Sequence, residues 1–179
     1  MAANEPTVRN LADLYELAPL DWDDVRRSLE APLTQAPETG GPGHHTFWLS
    51  TIDADGRPHM TAVGAYWIDG RYYFSGGPGS RKIRNIERDP RCAFGVAIRG
   101  YDVALEGRAL RVTDEAQLER VARVFAHGGW APTVAEGGLT HEFSAPSAGP
   151  PPWYVYAFTP DDAYAVMTQE PGGATRWTF

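Results

Sequence analysis

Lysine is almost absent from this chain: 179 residues hold fifteen arginines and one lysine, Lys82. Cysteine is as scarce, and the lone Cys92 excludes an internal disulfide and any cysteine-rich zinc site. It lies in the apolar run CAFGVAI and reads as a core thiol. No apolar stretch approaches the roughly 20 residues that cross a bilayer as a helix. The N-terminal MAANEPTVRN lacks the cationic start and apolar core of a signal peptide, so the expected location is the cytoplasm. Positive charge is in deficit too, with a net charge of −7 and a pI near 5.2. A domain of that sign lacks the broad cationic footprint of a nucleic-acid binder. Any anion it binds must be met by a local concentration of positive charge. The sequence offers no evident catalytic nucleophile, and His44, His45, His59, His127 and His141 have no metal-ligand spacing.

What is present is globular. Hydrophobic residues make up 42% and charged residues 22% of a 19.6 kDa chain, enough for the core of one domain. Residues 1–45 read as a helical lead-in and loop. In LDWDDVRRSLEAPL, Asp21 is the expected N-cap and Pro32 the stop, followed by the Gly/Pro-rich connector TQAPETGGPGHH. Strand signals then dominate. Thr46–Ile52 and Pro58–Ile68 are rich in β-branched and aromatic residues and flank the hairpin signal DADGR. IDGR turns the chain again into YYFSG. Arg91–Ile98 and Asp102–Val112 supply two more strands. Asp114 opens a helix with Gln117 at the capping-box position, and Leu118, Val121, Ala122 and Phe125 form one apolar stripe. Residues 128–152 show no sustained period and read as a long loop. Strands return at Trp153–Phe158, Asp162–Thr168 and the terminal ATRWTF. The pattern predicts a mainly β chain, an antiparallel barrel with flanking helices, in one domain.

Lys82 sits in GGPGSRKIRNIERDPR. Ser80 is placed to N-cap a short helix that ends before Pro90. At about 100° per residue, Ile83 and Ile86 share the side that packs on the barrel, and Arg81, Arg84 and Arg88 form an opposite stripe. Residues 81–91 hold five of the sixteen cationic side chains, opposed only by Glu87 and Asp89. Free amides at a helix start, a serine hydroxyl and two cations make an anion site, most naturally for phosphate. A P-loop is excluded, because that pattern requires Gly-Lys-Ser/Thr and here Arg81 precedes Lys82 and Ile83 follows it.

The ordered set DADGRPHMTAVGAYWIDGRYYFSGGPGSRKIRNIERDPR, then VALEGRALRVTD and TRWTF, resembles the split-barrel flavin and deazaflavin oxidoreductases related to pyridoxamine 5′-phosphate oxidase. The resemblance covers residues 46–179. SRKxRN and the terminal TRW look most like the branch that uses the deazaflavin coenzyme F-420, while the wider family more often uses FMN. It implies a six-stranded antiparallel split barrel, a homodimer, and a cofactor in the groove between subunits. By match of position, Ser80, Arg81, Lys82 and Asn85 would hold the cofactor phosphate. Thr61, Ala62, Val63 and Gly64 would run beside its ring, with Ser75 and Gly76 on the next strand. A cationic strand of the RxVLLK type, found in pyridoxamine-phosphate oxidases, is replaced here by HMTAVGAYW, which argues against pyridoxine chemistry.

The implied activity is hydride transfer between bound F-420 and a small, planar, unsaturated substrate, with no metal and no catalytic nucleophile from the protein. The arginine stripe exceeds what one phosphate needs and would suit the polyglutamate tail that follows the phosphate of F-420. FMN chemistry on the same fold and a non-catalytic coenzyme carrier are the alternatives. Tyr66, Trp153 and Trp177, with Trp130, are candidate substrate aromatics, Arg176 a candidate carboxylate partner, and His141 and Glu142 candidate proton donors. Lys82 remains a lysine, on this reading, because a compact ammonium must meet phosphate in a tight turn, where the arginine fork has a different reach.

Overall fold

The protein is described by a computed structural model covering residues 5–31, 45–143 and 148–179. Along the chain run β1 (Thr7–Asn10), a 3-10 turn (Asp13–Tyr15), α1 (Trp22–Glu30), β2 (Phe47–Ile52) and β3 (Pro58–Val63). Next come β4 (Ala65–Ile68), β5 (Arg71–Gly76), α2 (Arg81–Arg88), β6 (Arg91–Ile98), β7 (Tyr101–Arg111) and α3 (Glu115–His127). The hairpin β8 (Thr133–Ala135) and β9 (Gly138–Thr140) precedes β10 (Tyr154–Met167) and β11 (Ala174–Thr178).

Among the described residues all pairings are antiparallel, and six strands form a barrel circuit when the consecutive β3 and β4 are counted as one. The circuit is β2, then β3 and β4 in sequence, β5, β10, β7, β6 and back to β2. This is the expected split barrel. Side chains alternate inward and outward with the pleat, so Phe47, Leu49, Tyr72, Phe74, Phe94, Val96, Leu105 and Phe158 fill the interior. The aromatic rings meet at centroid distances of 5.1 Å for Phe47–Tyr72 and Tyr72–Phe94 and 5.0 Å for Phe94–Phe158. Cys92 is buried there, and burial pushes its thiol up to about 12, an unreactive core position.

Three elements differ from the sequence expectation. The run Pro58–Ile68 is divided at Gly64: β3 pairs with β2, whereas β4 pairs with β5. Strand propensity runs unbroken through the segment, so only the change of partner marks the split. Conversely, Trp153–Phe158 and Asp162–Thr168 join into the single strand β10, kinked by a bulge between Pro160 and Asp162. Within residues 128–152, Val134 and Leu139 face each other in a tight hairpin, with Glu136 and Gly137 both at positive φ.

The N-terminal part is more than a helical lead-in. β1, which carries no strong strand signal, pairs with β11. The Leu20 amide donates to the buried Thr175 hydroxyl at 2.8 Å, and Val25 and Leu29 of α1 enter the barrel core. Asp21 caps α1, accepting from the amides of Asp23 and Asp24. Pro32 and His44 lie outside the described residues. Among the described residues no helix is long and apolar enough to cross a membrane.

Candidate functional site

β5 ends at Gly76, and the chain turns through Gly77–Ser80 into α2. Ile83 and Ile86 are 2% and 3% exposed against the barrel, which gives the short amphipathic helix its dock. Burial of each contributes about 1.5–3 kcal/mol. A side chain at Gly76 would lie 2.8 Å from Ile83 and 3.1 Å from the Lys82 stem. The glycine therefore lets the first turn of α2, with Lys82, close over the end of β5. At Gly77 a Cβ would collide with the carbonyl of Ala148 and touch the Trp153 ring at 3.7 Å, so residues 148–153 lie against the same turn.

Ser80 occupies the N-cap position of α2 with extended backbone, but its side chain makes no capping hydrogen bond. Its hydroxyl is buried and has no partner among the described residues. The first-turn amides have no intrahelical acceptor and no side-chain cap. Lys82 beside them is partly buried and meets no carboxylate among the described residues. Burial depresses its pKa, as desolvation disfavours an ammonium. An orphaned hydroxyl, uncapped amides and an unpaired ammonium at one turn fit a phosphate-bearing ligand.

The arginines are occupied differently from the expected free stripe. Arg81 grips Asp53, from the β2–β3 turn, through Nε at 3.0 Å and a second short contact. Arg84 donates to the Gly79 carbonyl and Arg88 to the Ile52 carbonyl. Asn85, 4% exposed, donates to Thr51 Oγ1 at 3.1 Å and Asp53 Oδ1 at 2.9 Å. Arg81 and Asn85, expected at the phosphate, thus meet Asp53, and the Arg81 guanidinium and then the Asn85 amide hold its carboxyl well below the usual carboxylate range. Ser80 and Lys82 are left with donors to spare. Asp53 was not singled out from the sequence, where it reads only as the first residue of DADGR.

Thr61, Ala62 and Val63 lie on β3, whose single strand partner among the described residues is β2. Among the described residues no strand pairs with their other backbone edge. Ser75 and Gly76 pair with Val155 and Tyr154 on β10.

The aromatic candidates divide. Tyr66, Phe125, Trp130 and Trp153 form a chain with successive centroid distances of 5.2, 5.7 and 5.7 Å. His141 and the exposed Phe143 extend it, with His141 6.3 Å from Trp130 and 4.5 Å from Phe143. Trp153 itself is 3% exposed and supports the cluster from beneath. Trp177 does not belong: it is 1% exposed and packs 5.3 Å from Trp22 in the barrel core. Arg176, one residue before it and so on the opposite face of β11, already has a carboxylate, Asp162, at 2.8 Å. Neither Trp177 nor Arg176 offers a free group to a substrate. Phe125 and Phe143 were missed; Phe125 was legible only as part of the α3 core stripe.

The family model for pyridoxamine 5′-phosphate oxidase matches residues 33–167. No curated protein matches the chain at a significant level. Among solved structures, a conserved hypothetical protein of Mycobacterium tuberculosis is 20% identical, with 82% of this chain on 84% of that one and a TM-score of 0.57. An F-420 reductase is 18% identical, with 77% of this chain on 94% of that one and a TM-score of 0.51. A pyridoxamine 5′-phosphate oxidase-related, FMN-binding protein of Nostoc punctiforme is 16% identical, with 72% of this chain on 78% of that one and a TM-score of 0.50.

Proposed function

Because the chain belongs to the pyridoxamine 5′-phosphate oxidase family, which includes flavin-dependent oxidoreductases, we propose that it is an oxidoreductase using the deazaflavin coenzyme F-420. The observation that carries the reading is the Ser80–Lys82 turn, where a buried hydroxyl and an ammonium both lack partners among the described residues. The likeness to an F-420 reductase and the SRKxRN sequence favour the deazaflavin over FMN.

When bound, the deazaflavin ring supplies hydride exchange with a small unsaturated molecule. The chain's own part is to bind, orient and exclude water. Ser80, Lys82 and the first amides of α2 hold the phosphate, and Arg81 and Asn85 position that turn through Asp53. The edge of β3 that no strand pairs with among the described residues, continued to Gly64, would offer backbone donors and acceptors to the ring from Thr61, Ala62, Val63 and Gly64, with Ser75 and Gly76 at its flank. Tyr66 and Trp130, supported by Trp153, give an apolar wall suited to a planar substrate. Arg176 and Trp177 have no part in this reading.

A homodimer belongs to the same proposal. Trp48 and Met60 are 48% and 63% exposed on the outer face of β2 and β3. Ala62, Trp48, Gly95 and Ala104 follow one another across four neighbouring strands in a single row. Small residues around a tryptophan make a surface that a second copy can cover closely.

Calorimetric titration of the apo-protein with F-420 and with FMN tests the cofactor. Micromolar F-420 binding, followed by oxidation of reduced F-420 on addition of quinones or enones, is expected. Micromolar FMN binding without F-420 binding replaces this reading by the FMN-dependent one. F-420 binding without turnover of any acceptor makes the protein a carrier.

A further inference from the structure

We infer that Asp53, by neutralising Arg81, lowers the preference of the site for a doubly charged phosphomonoester relative to a singly charged phosphodiester; the inference rests on the cofactor reading above. Three observations carry it. Arg81, the first residue of α2, spends its planar fork on Asp53 rather than presenting it to a ligand. Asn85 holds the same carboxylate at 2.9 Å from within the buried side of the helix. Asp53 is itself only 12% exposed, so it cannot swing into solvent without leaving both partners.

The consequence is a matter of sign. A fixed carboxylate repels a bound anion in proportion to the anion's charge, so its cost for a dianion is twice that for a monoanion at the same place. The absolute affinity depends on Lys82, on the Ser80 hydroxyl and on Arg84, whose guanidinium bonds the Gly79 carbonyl and keeps its charge. Those cations favour the dianion by the same rule, so the part played by Asp53 is the change in the ratio of the two affinities when it alone is removed and they stay where they are. Arg81 completes the effect, since paired with Asp53 it brings no net charge to the turn. The phosphate of F-420 is esterified on both sides and carries one charge, whereas that of FMN is a terminal monoester carrying nearly two at neutral pH. An acid that neutralises the first arginine of the phosphate turn, wasteful for a monoester, thus shifts the balance toward the diester.

Asp53 also ties α2 to the β2–β3 turn, and a purely structural role would weaken every ligand alike. The test separates the two. The probes are the 5′-phosphate of the deazaflavin ribityl core and the methyl ester of that phosphate, which share one ring and differ by one charge. Dissociation constants are measured by titration calorimetry for the wild type, Asp53→Asn and Asp53→Asn/Arg81→Gln, with F-420 alongside. The asparagine keeps an oxygen for Arg81 and Asn85, and unchanged thermal unfolding checks the fold. The wild type gives the reference ratio of the two constants. Asp53→Asn should move the preference toward the monoester by about tenfold, the scale of one unit charge at close range in partly screened surroundings. Removing Arg81 as well should cancel that gain. Equal changes for both probes, with F-420 still bound, overturn the inference and leave the cofactor reading standing. Absence of binding by F-420 and both probes to the folded wild type overturns both.

Discussion

Tyr156, fully buried on β10, donates its phenolic hydrogen to Glu87 on the exposed side of α2, at 2.5 Å. Burial first, and then the Glu87 carboxylate, push the tyrosine pKa above its ordinary value, so it stays a neutral donor throughout the physiological range. With Asn85 and Arg81 on Asp53, this bond fixes α2 from both sides to strands that are distant in sequence. The basic helix is therefore bonded to the barrel wall as well as packed on it through Ile83 and Ile86.

Tyr156→Phe keeps the ring in the core, stacked 5.7 Å from Phe74, and deletes that bond alone. A stability loss of about 1–2 kcal/mol is expected, at the upper end for a hydrogen bond because the acceptor is charged. Denaturant unfolding measures it; an unchanged midpoint would mean that the helix does not depend on this anchor.

Much of this helix was legible in the sequence. Ile83 and Ile86 at helical spacing gave its buried side, and DADGR and IDGR gave the hairpins that lead to it. What could not be read is where the polar side chains end. Arg84 and Arg88 bond to backbone carbonyls, and one of those, Ile52, belongs to a different strand. Arg81 finds a carboxylate 28 positions away. Spacing sorts a helix into faces, but partners on another element are set by tertiary packing. For the same reason Ser80 was legible as an N-cap position and not as a hydroxyl without a partner among the described residues. Trp177 misled because its TRW setting gives no sign of which face of β11 points inward.

Gly76 gives a steric prediction. A methyl group there would press on Ile83 at 2.8 Å and on the Lys82 stem, forcing the first turn of α2 away from β5. Gly76→Ala should destabilise the fold by about 1–3 kcal/mol, as overpacking does. It should also weaken F-420 binding, since Ser80 and Lys82 move with the turn. Retention of both stability and affinity would show that the turn yields without consequence.

The exposed row around Trp48 predicts association. Sedimentation velocity of the wild type is expected to give a dimer at micromolar concentration. Trp48→Glu, an exposed change that leaves the barrel interior untouched, should shift it toward monomer by at least tenfold in dissociation constant, because a charge at the centre of a covered patch must be desolvated. A wild type that sediments as a monomer removes this face as an interface.

Lys82 ties binding and stability together with opposite signs. Its ammonium would contribute a charge-assisted hydrogen bond to phosphate worth about 1.5–3 kcal/mol, so Lys82→Met should weaken F-420 binding by roughly ten- to a hundredfold. Without ligand the same ammonium is partly buried and has no partner among the described residues, so the variant should be the more stable apo-protein. Burial lowers the folded-state pKa below the ordinary 10.5. Between those two values the unfolded chain binds more protons than the native one, and wild-type stability rises with pH relative to the variant. The cost of Lys82 is thus complete below its folded-state pKa and fades as pH climbs toward 10.5. Denaturation of both apo-proteins across the alkaline range reads this directly. A wild type more stable than Lys82→Met at neutral pH would mean that the ammonium already has a partner, and that the turn is not waiting for an anion.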